Sequence, residues 1–200
     1  RMDTLPLSID PWMIYWNKEL FAAKGLAFPK TFDEIVMAAE KLTDKASGQY
    51  GWVSRGLKNA NVPVWTSFML GHDMDPVNPK TVQLQTTTPE AIAAAEYYKK
   101  LNKDFAPPGT VGFNWNESQT SFSQGKIGMW LDGIGFAPPL EDPTKSRVVG
   151  KVGYGIMPNG PKTKNSATFG DGIGIAQASK KKEAAYLYCQ WATGKLMASR

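Results

Sequence analysis

The sequence predicts an α/β fold, on three observations. Helical patterns with clear start signals recur along the chain, short runs rich in β-branched and aromatic residues fall between them, and Gly or Pro marks the changeovers. SIDPWMIYW (8–16) reads as a strand, and NKELFAAKG as a short helix stopped by Gly25. The clearest helix is PKTFDEIVMAAEKLTDKASG (29–48). Thr31 caps it, Glu34 takes the capping-box position, Phe32, Ile35, Val36, Ala39 and Leu42 form its apolar face, and Gly48 ends it. QYGWVS then reads as a strand. TTPEAIAAAEYYKKLNKDF (87–105) repeats the grammar, with Thr88 as cap, Pro89 in the first turn, and Ile92, Ala95, Tyr98 and Leu101 on one side. NESQTSFSQG is a third helix. KIGMWLD (126–132), KVGYGIMP (151–158) and GIGIAQA (172–178) are strands. SKKKEAAYLYCQWATG (179–194) is a last helix, with Ser179 near its cap and Ala184, Leu187, Tyr188 and Trp191 toward a core. No internal repeat or low-complexity tract interrupts this order.

Composition narrows what the fold is for. Two hundred residues can bury a real core, and 20% charged residues beside 42% hydrophobic ones read as globular. No run of 18 apolar residues suggests a membrane span. The formal charge of +5 is dispersed. Lys180, Lys181 and Lys182 form the only basic run, and of four arginines two stand at the chain ends, so a nucleic-acid partner is not expected. The single Cys189 forms no internal disulfide, and AAYLYCQWA suits a buried small hydrophobe.

Reacting groups are scarce. One histidine, His72, cannot build a His-centred metal site, and no serine sits in a nucleophile-elbow setting. GDGIGIA (170–176) lacks the glycine spacing of a nucleotide loop and opens a strand where that motif opens a helix. DMDPVNPK (73–80) begins like a calcium loop but carries Val77, Pro79 and Leu84 at ligand positions. Glu117 with Asp132 or Asp171 leaves a glycosidase-like carboxylate pair open. No catalytic residue, metal or cofactor is otherwise implied.

FNWNE (113–117) has a different character, because it sets aromatic rings beside amides and a carboxylate. Sugars and polyols need flat faces for their C–H surface and planar polar groups for their hydroxyls. Trp115 is the first aromatic candidate, with Glu117 divided between a ligand and the cap of the next helix. Asp132 ends a strand before Gly133 and Gly135, where an acid faces a cleft or caps a turn. Arg55 follows a strand, and its fork suits two hydroxyls or a surface ion pair. Asp171 lies between glycines, where backbone can approach a ligand closely or simply turn.

Four stretches carry a family resemblance. IYWNKELFAAKGLAFPKTFDEIVMAAEKLT, FSQGKIGMWLDG, VGYGIMPNGP and SKKKEAAYLYCQWAT, in that order, resemble the extracellular solute-binding proteins of ABC importers, the maltose-binding-protein-like family. GWVSRG, FAPPGTVGFNWNE, MWLDG and LEDPTKSRVVGKVGYG are similar to its sorbitol- and mannitol-binding branch. The resemblance implies a type II periplasmic-binding-protein-like second lobe with a mixed sheet flanked by helices. Residues 1–16 would be the crossover from a first lobe, and 17–200 the lobe itself. Asp10 and Trp12 would then lie on the crossover near the ligand, with Trp12 open to either sheet face. Phe136 would stand where maltose-type relatives stack a tryptophan, which suits a small ligand. A non-enzymatic, monomeric binding protein follows. It would capture a small sugar or hexitol for ABC permease subunits, in the periplasm or outside the cell, with a lipid anchor on a preceding segment as one option. A glycoside hydrolase or lectin-like domain is the alternative.

Overall fold

A computed structural model of the chain describes residues 4–199; residues 1–3 and 200, at the outer ends of the expected crossover and lobe, lie outside the described residues. The elements run β1 (Leu5–Asn17), α1 (Lys18–Ala23), α2 (Phe32–Leu42), β2 (Tyr50–Val53), α3 (Val62–Gly71), α4 (Pro89–Asp104), α5 (Trp115–Ser123), β3 (Ile127–Gly133), α6 (Ala137–Leu140), β4 (Val152–Ile156), β5 (Thr168–Ile173), α7 (Lys182–Ala192) and α8 (Lys195–Ala198). They fall into two compact units. The larger is Pro11–Ala167, and the smaller joins the residues up to Asp10 with those from Thr168 onward. The tail of the expected 17–200 lobe therefore groups with the start of the chain.

In the larger unit the strands lie in the order β2-β3-β1-β4. β1 pairs antiparallel with β3 (Ile14 opposite Leu131) and with β4 (Tyr15 opposite Tyr154), while β2 runs parallel to β3. All seven residues of β3 are buried, as expected of a strand covered on both faces. On one face Trp12, Ile14, Trp52, Met129 and Leu131 pack with Phe32, Ile35 and Leu42 of α2, Phe68 and Met69 of α3, and Leu101 of α4. On the other, Tyr15, Val53 and Trp130 meet Phe122 of α5, Leu140 of α6 and Val148. Each such side chain, fully buried, contributes about 1.5–3 kcal/mol.

Glycines let the layers close. A Cβ on Gly51 would stand 2.0 Å from the backbone oxygen of Ala39, so α2 lies directly against β2. Gly153 and Gly155 flank Tyr154 on β4, and side chains there would enter the rings of Trp16 and Phe28. That alternation turns Tyr154 toward Tyr15 on the opposite face, edge-on at 5.7 Å.

Several sequence expectations need correction. α2 ends at Leu42 rather than near Gly48, because Thr43 turns extended and its hydroxyl bonds back to the Ala39 carbonyl. Gly48, at φ +69°, instead shapes the turn into β2. On α4 the inward face is Ala91, Ala94 and Leu101, while Ile92 is exposed; small residues let this helix sit close. α3 was unforeseen. Asn61 at its N-cap makes no side-chain cap bond and Pro63 in the first turn is the one local start signal, while apolar residues all round leave no polar stripe to mark the helix.

In the smaller unit β5 pairs with the first part of β1. It begins at Thr168 and ends at Ile173, earlier than expected, which puts Asp171 inside the strand. α7 starts at Lys182 and turns Cys189 inward. Leu187, Tyr188 and Trp191, expected to face a core, are more than half exposed, and Ala184 is exposed with them. Pro11 sits where β1 passes from one unit to the other. It has no N–H to give, and the next amide, of Trp12, bonds to the Ala167 carbonyl. Among the described residues no helix is long and apolar enough to cross a membrane.

Candidate functional site

The end of β2 and the end of β3 lie side by side because the two strands are parallel neighbours. Arg55, just past β2, therefore meets Asp132, the penultimate residue of β3. Its Nε donates to Asp132 Oδ2 at 2.9 Å and its Nη2 to Oδ1 at 2.5 Å, a two-pronged pairing. Asp132 is fully buried and the Arg55 side chain is 15% exposed. The Gly133 amide also donates to Asp132 Oδ1. Burial pushes the Asp132 carboxyl above the usual carboxylate range, while the Arg55 guanidinium and the Gly133 amide pull the other way.

Aromatic rings enclose this pair. The Arg55 guanidinium carbon lies 4.8 Å from the centre of the Trp12 ring and 5.4 Å from that of Phe136. Phe136 is stacked by Trp115, with ring centres 5.3 Å apart and planes 17° from parallel. Trp115 keeps 41% of its surface exposed, whereas Trp12 is almost wholly buried and its indole Nε1 has no hydrogen-bond partner among the described residues. Four kinds of surface meet here: a guanidinium edge, a spent carboxylate, an unpaired indole N–H and an open aromatic face.

Supporting contacts fix these groups. The Tyr98 hydroxyl of α4 donates to the Arg55 carbonyl at 2.9 Å. Ser54 donates to Asn102, whose amide nitrogen returns to the Tyr98 carbonyl, so α4 clamps the end of β2. Gln119 of α5 donates to the Phe136 carbonyl at 3.0 Å, and the Tyr15 hydroxyl donates to that of Gly133 at 2.6 Å. Tyr15, Asn102 and Gln119 were not singled out from sequence, and Tyr98 was read only as part of an apolar helix face, because each acts across a long separation that no local pattern records.

Of the sequence candidates, the structure gathers Trp12, Arg55, Trp115, Asp132 and Phe136. Glu117 is engaged otherwise: its Oε2 accepts from the Asn114 amide, completing the capping box that starts α5. Asp10 and Asp171 belong to the smaller unit, where the Ser8 hydroxyl donates to Asp171 Oδ2 at 2.8 Å. Among the described residues, no group of three or more His, Cys, Asp or Glu side chains could hold a metal ion.

A profile for bacterial extracellular solute-binding proteins matches residues 2–195, and the chain belongs to that family. A probable amino-acid ABC transporter periplasmic-binding protein of Sinorhizobium fredii is 31% identical over 193 residues, which are 94% of this chain and 43% of that protein. A solved ABC transporter solute-binding protein from Agrobacterium radiobacter K84, in complex with ribitol, is 30% identical with a TM-score of 0.89. The match covers 98% of this chain and 50% of that one. Another, from Agrobacterium vitis S4 with bound D-mannitol, is 28% identical with a TM-score of 0.86, covering 99% of this chain and 48% of that one. The chain thus spans about half the length of these relatives. Its helix-flanked mixed sheet is the periplasmic-binding-protein-like fold of these structures.

Proposed function

We propose that these residues form part of the carbohydrate- or polyol-binding component of an ABC importer, which captures a small sugar or hexitol. The observation that carries this reading is the Arg55–Asp132 pair set between Trp12, Phe136 and Trp115. The free N–H groups of Arg55 suit hydroxyl oxygens, and the open face of Trp115 suits the C–H surface of a sugar or polyol. Trp12, Arg55, Trp115 and Phe136 are the proposed ligand residues of this unit. Relatives solved with ribitol and D-mannitol support the ligand class. A hydrolase is not favoured, since Glu117 caps α5 and Asp132 is held by Arg55. The captured ligand would pass to membrane permease subunits, outside the cytoplasmic membrane, from a monomeric binding protein.

Calorimetry on the full-length protein against alditols, monosaccharides, disaccharides and amino acids tests the reading. The expected result is saturable binding of an alditol or monosaccharide at micromolar Kd or tighter, about −8 kcal/mol. A response to amino acids alone would overturn it.

A further inference from the structure

We infer that Asp132 is an internal counter-ion that tunes the site for uncharged ligands, and that removing it would turn the site toward acidic ones. The inference rests on the proposed binding role of Arg55 and adds a separate function for its partner.

The hydrogen-bond geometry divides the labour. Asp132 is fully buried, and both of its oxygens accept from Arg55, with the Gly133 amide adding a further bond to Oδ1. The carboxylate is wholly buried and both of its oxygens are engaged inside the protein, so it is a positioning residue. Arg55 has five N–H donors and commits two of them to Asp132. Among the described residues the remaining N–H groups have no further partner, on a side chain that is 15% exposed, and neither has the buried indole N–H of Trp12, whose ring lies under the guanidinium. Arg55 therefore presents donors to a ligand, which pair with its acceptor oxygens.

Charge decides which acceptors are favoured. Without Asp132, a guanidinium held against Trp12 and Phe136 would carry an uncompensated positive charge, and a ligand carboxylate would be its natural complement. With Asp132 in place the pair is neutral. A second carboxylate reaching Arg55 would then be desolvated beside an existing one, a like-charge contact that disfavours it. A hydroxyl accepts the same hydrogen bonds without that repulsion. The ion pair thus fixes the fork of Arg55 and also screens its charge.

Alditols and their aldonates make a direct test, because they differ only by a carboxylate in place of one terminal CH2OH. D-mannitol has two equivalent ends and the ends of ribitol are mirror images, so D-mannonate and the two enantiomers of ribonate together can turn the carboxylate toward Arg55. Kd values for both pairs would be measured by calorimetry on the full-length wild type, Asp132→Asn, and the double variant Arg55→Gln/Asp132→Asn.

The wild type should favour the alditol at least tenfold. Asp132→Asn should shift the alditol-to-aldonate ratio at least tenfold toward the aldonate, and the double variant should return the preference to the alditol. A purely structural role would weaken both ligands in parallel and leave the ratio alone. An unchanged ratio in Asp132→Asn overturns the inference while leaving the polyol-binding reading intact. Failure of the wild type to bind any polyol or sugar overturns that reading instead. Should Asp132→Asn not fold, the wild-type preference still decides: aldonate binding as tight as the alditol, or tighter, sinks the idea.

Discussion

Among the described residues the buried indole nitrogen of Trp12 has no hydrogen-bond partner, whereas that of Trp52 donates to the Ser54 hydroxyl. A buried donor left unpaired costs about 1–3 kcal/mol, so Trp12 bears that cost until an acceptor arrives. If a ligand hydroxyl supplies it, Trp12→Phe should keep the ring beneath Arg55 yet weaken alditol binding about tenfold, or about 1.4 kcal/mol. Calorimetry on the variant checks this; unaltered affinity would mean that the indole N–H plays no part in binding. Gly51 makes a second prediction at the same scale. A methyl group there would meet the rigid Ala39 carbonyl at 2.0 Å, so Gly51→Ala should cost about 1–3 kcal/mol in chemical denaturation, through separation of α2 from β2. A stability change within 0.5 kcal/mol, roughly the scatter of surface substitutions, would show that the layers can part freely.

At the level of elements, α5 links stability to the site. Asn114 caps it, Trp115 is its first residue, and Gln119 one turn on holds Phe136. Asn114→Ala should therefore cost about 1 kcal/mol of stability and also loosen the ligand, because the stacked Trp115–Phe136 pair hangs on that helix start. Thermal melts and calorimetry together test this, and intact affinity despite lower stability would separate the helix from the site. A second link joins β4 to the loop after α6. The Tyr154 hydroxyl donates to Glu141 Oε1 at 2.7 Å, and the Gly150 amide to Oε2. These bonds hold the Glu141 carboxyl below its ordinary value, and burial with the nearby carboxylate pushes the Tyr154 phenol up. A depressed carboxyl stabilises the fold above its unfolded pKa and loses that contribution as pH falls through the folded one. Tyr154→Phe should therefore raise the Glu141 pKa in a carboxyl NMR titration and reduce the acid-side loss of stability; an unmoved titration would refute the link. The elements themselves were largely legible in the sequence, since Thr31 and Thr88 each cap through a local side chain. α3 was not, because Pro63 alone marks its start and no polar stripe follows. The exposed face of α7 was misread for a related reason: apolar spacing tells which residues seek cover, and not whether the cover is present.

For the whole molecule, the site was legible in part. Trp12, Arg55, Trp115, Asp132 and Phe136 stood out as residue types, but nothing local in the sequence said that Arg55 would reach across 77 positions to Asp132. That pairing exists because β2 and β3 run parallel and end together. Because the chain spans about half of its relatives' length, a prediction follows for ligand affinity. If the remaining part of a full-length protein supplies an opposing wall, the isolated 200-residue polypeptide should unfold cooperatively and bind the alditol at least tenfold more weakly, about 1.4 kcal/mol. Equal affinities by calorimetry would mean that the site is complete within these residues.

The pairing of β1 has a consequence in time. This strand leaves the ribosome before its neighbours, and Ile14 must wait for Leu131 on one side and Gly155 on the other. At roughly 5–20 residues per second, β1 remains without those partners for about 6–28 s of synthesis. Its buried side chains, Trp12, Ile14 and Tyr15, stay available to chaperones throughout that interval. The sheet therefore cannot close until β3 and β4 have both been made.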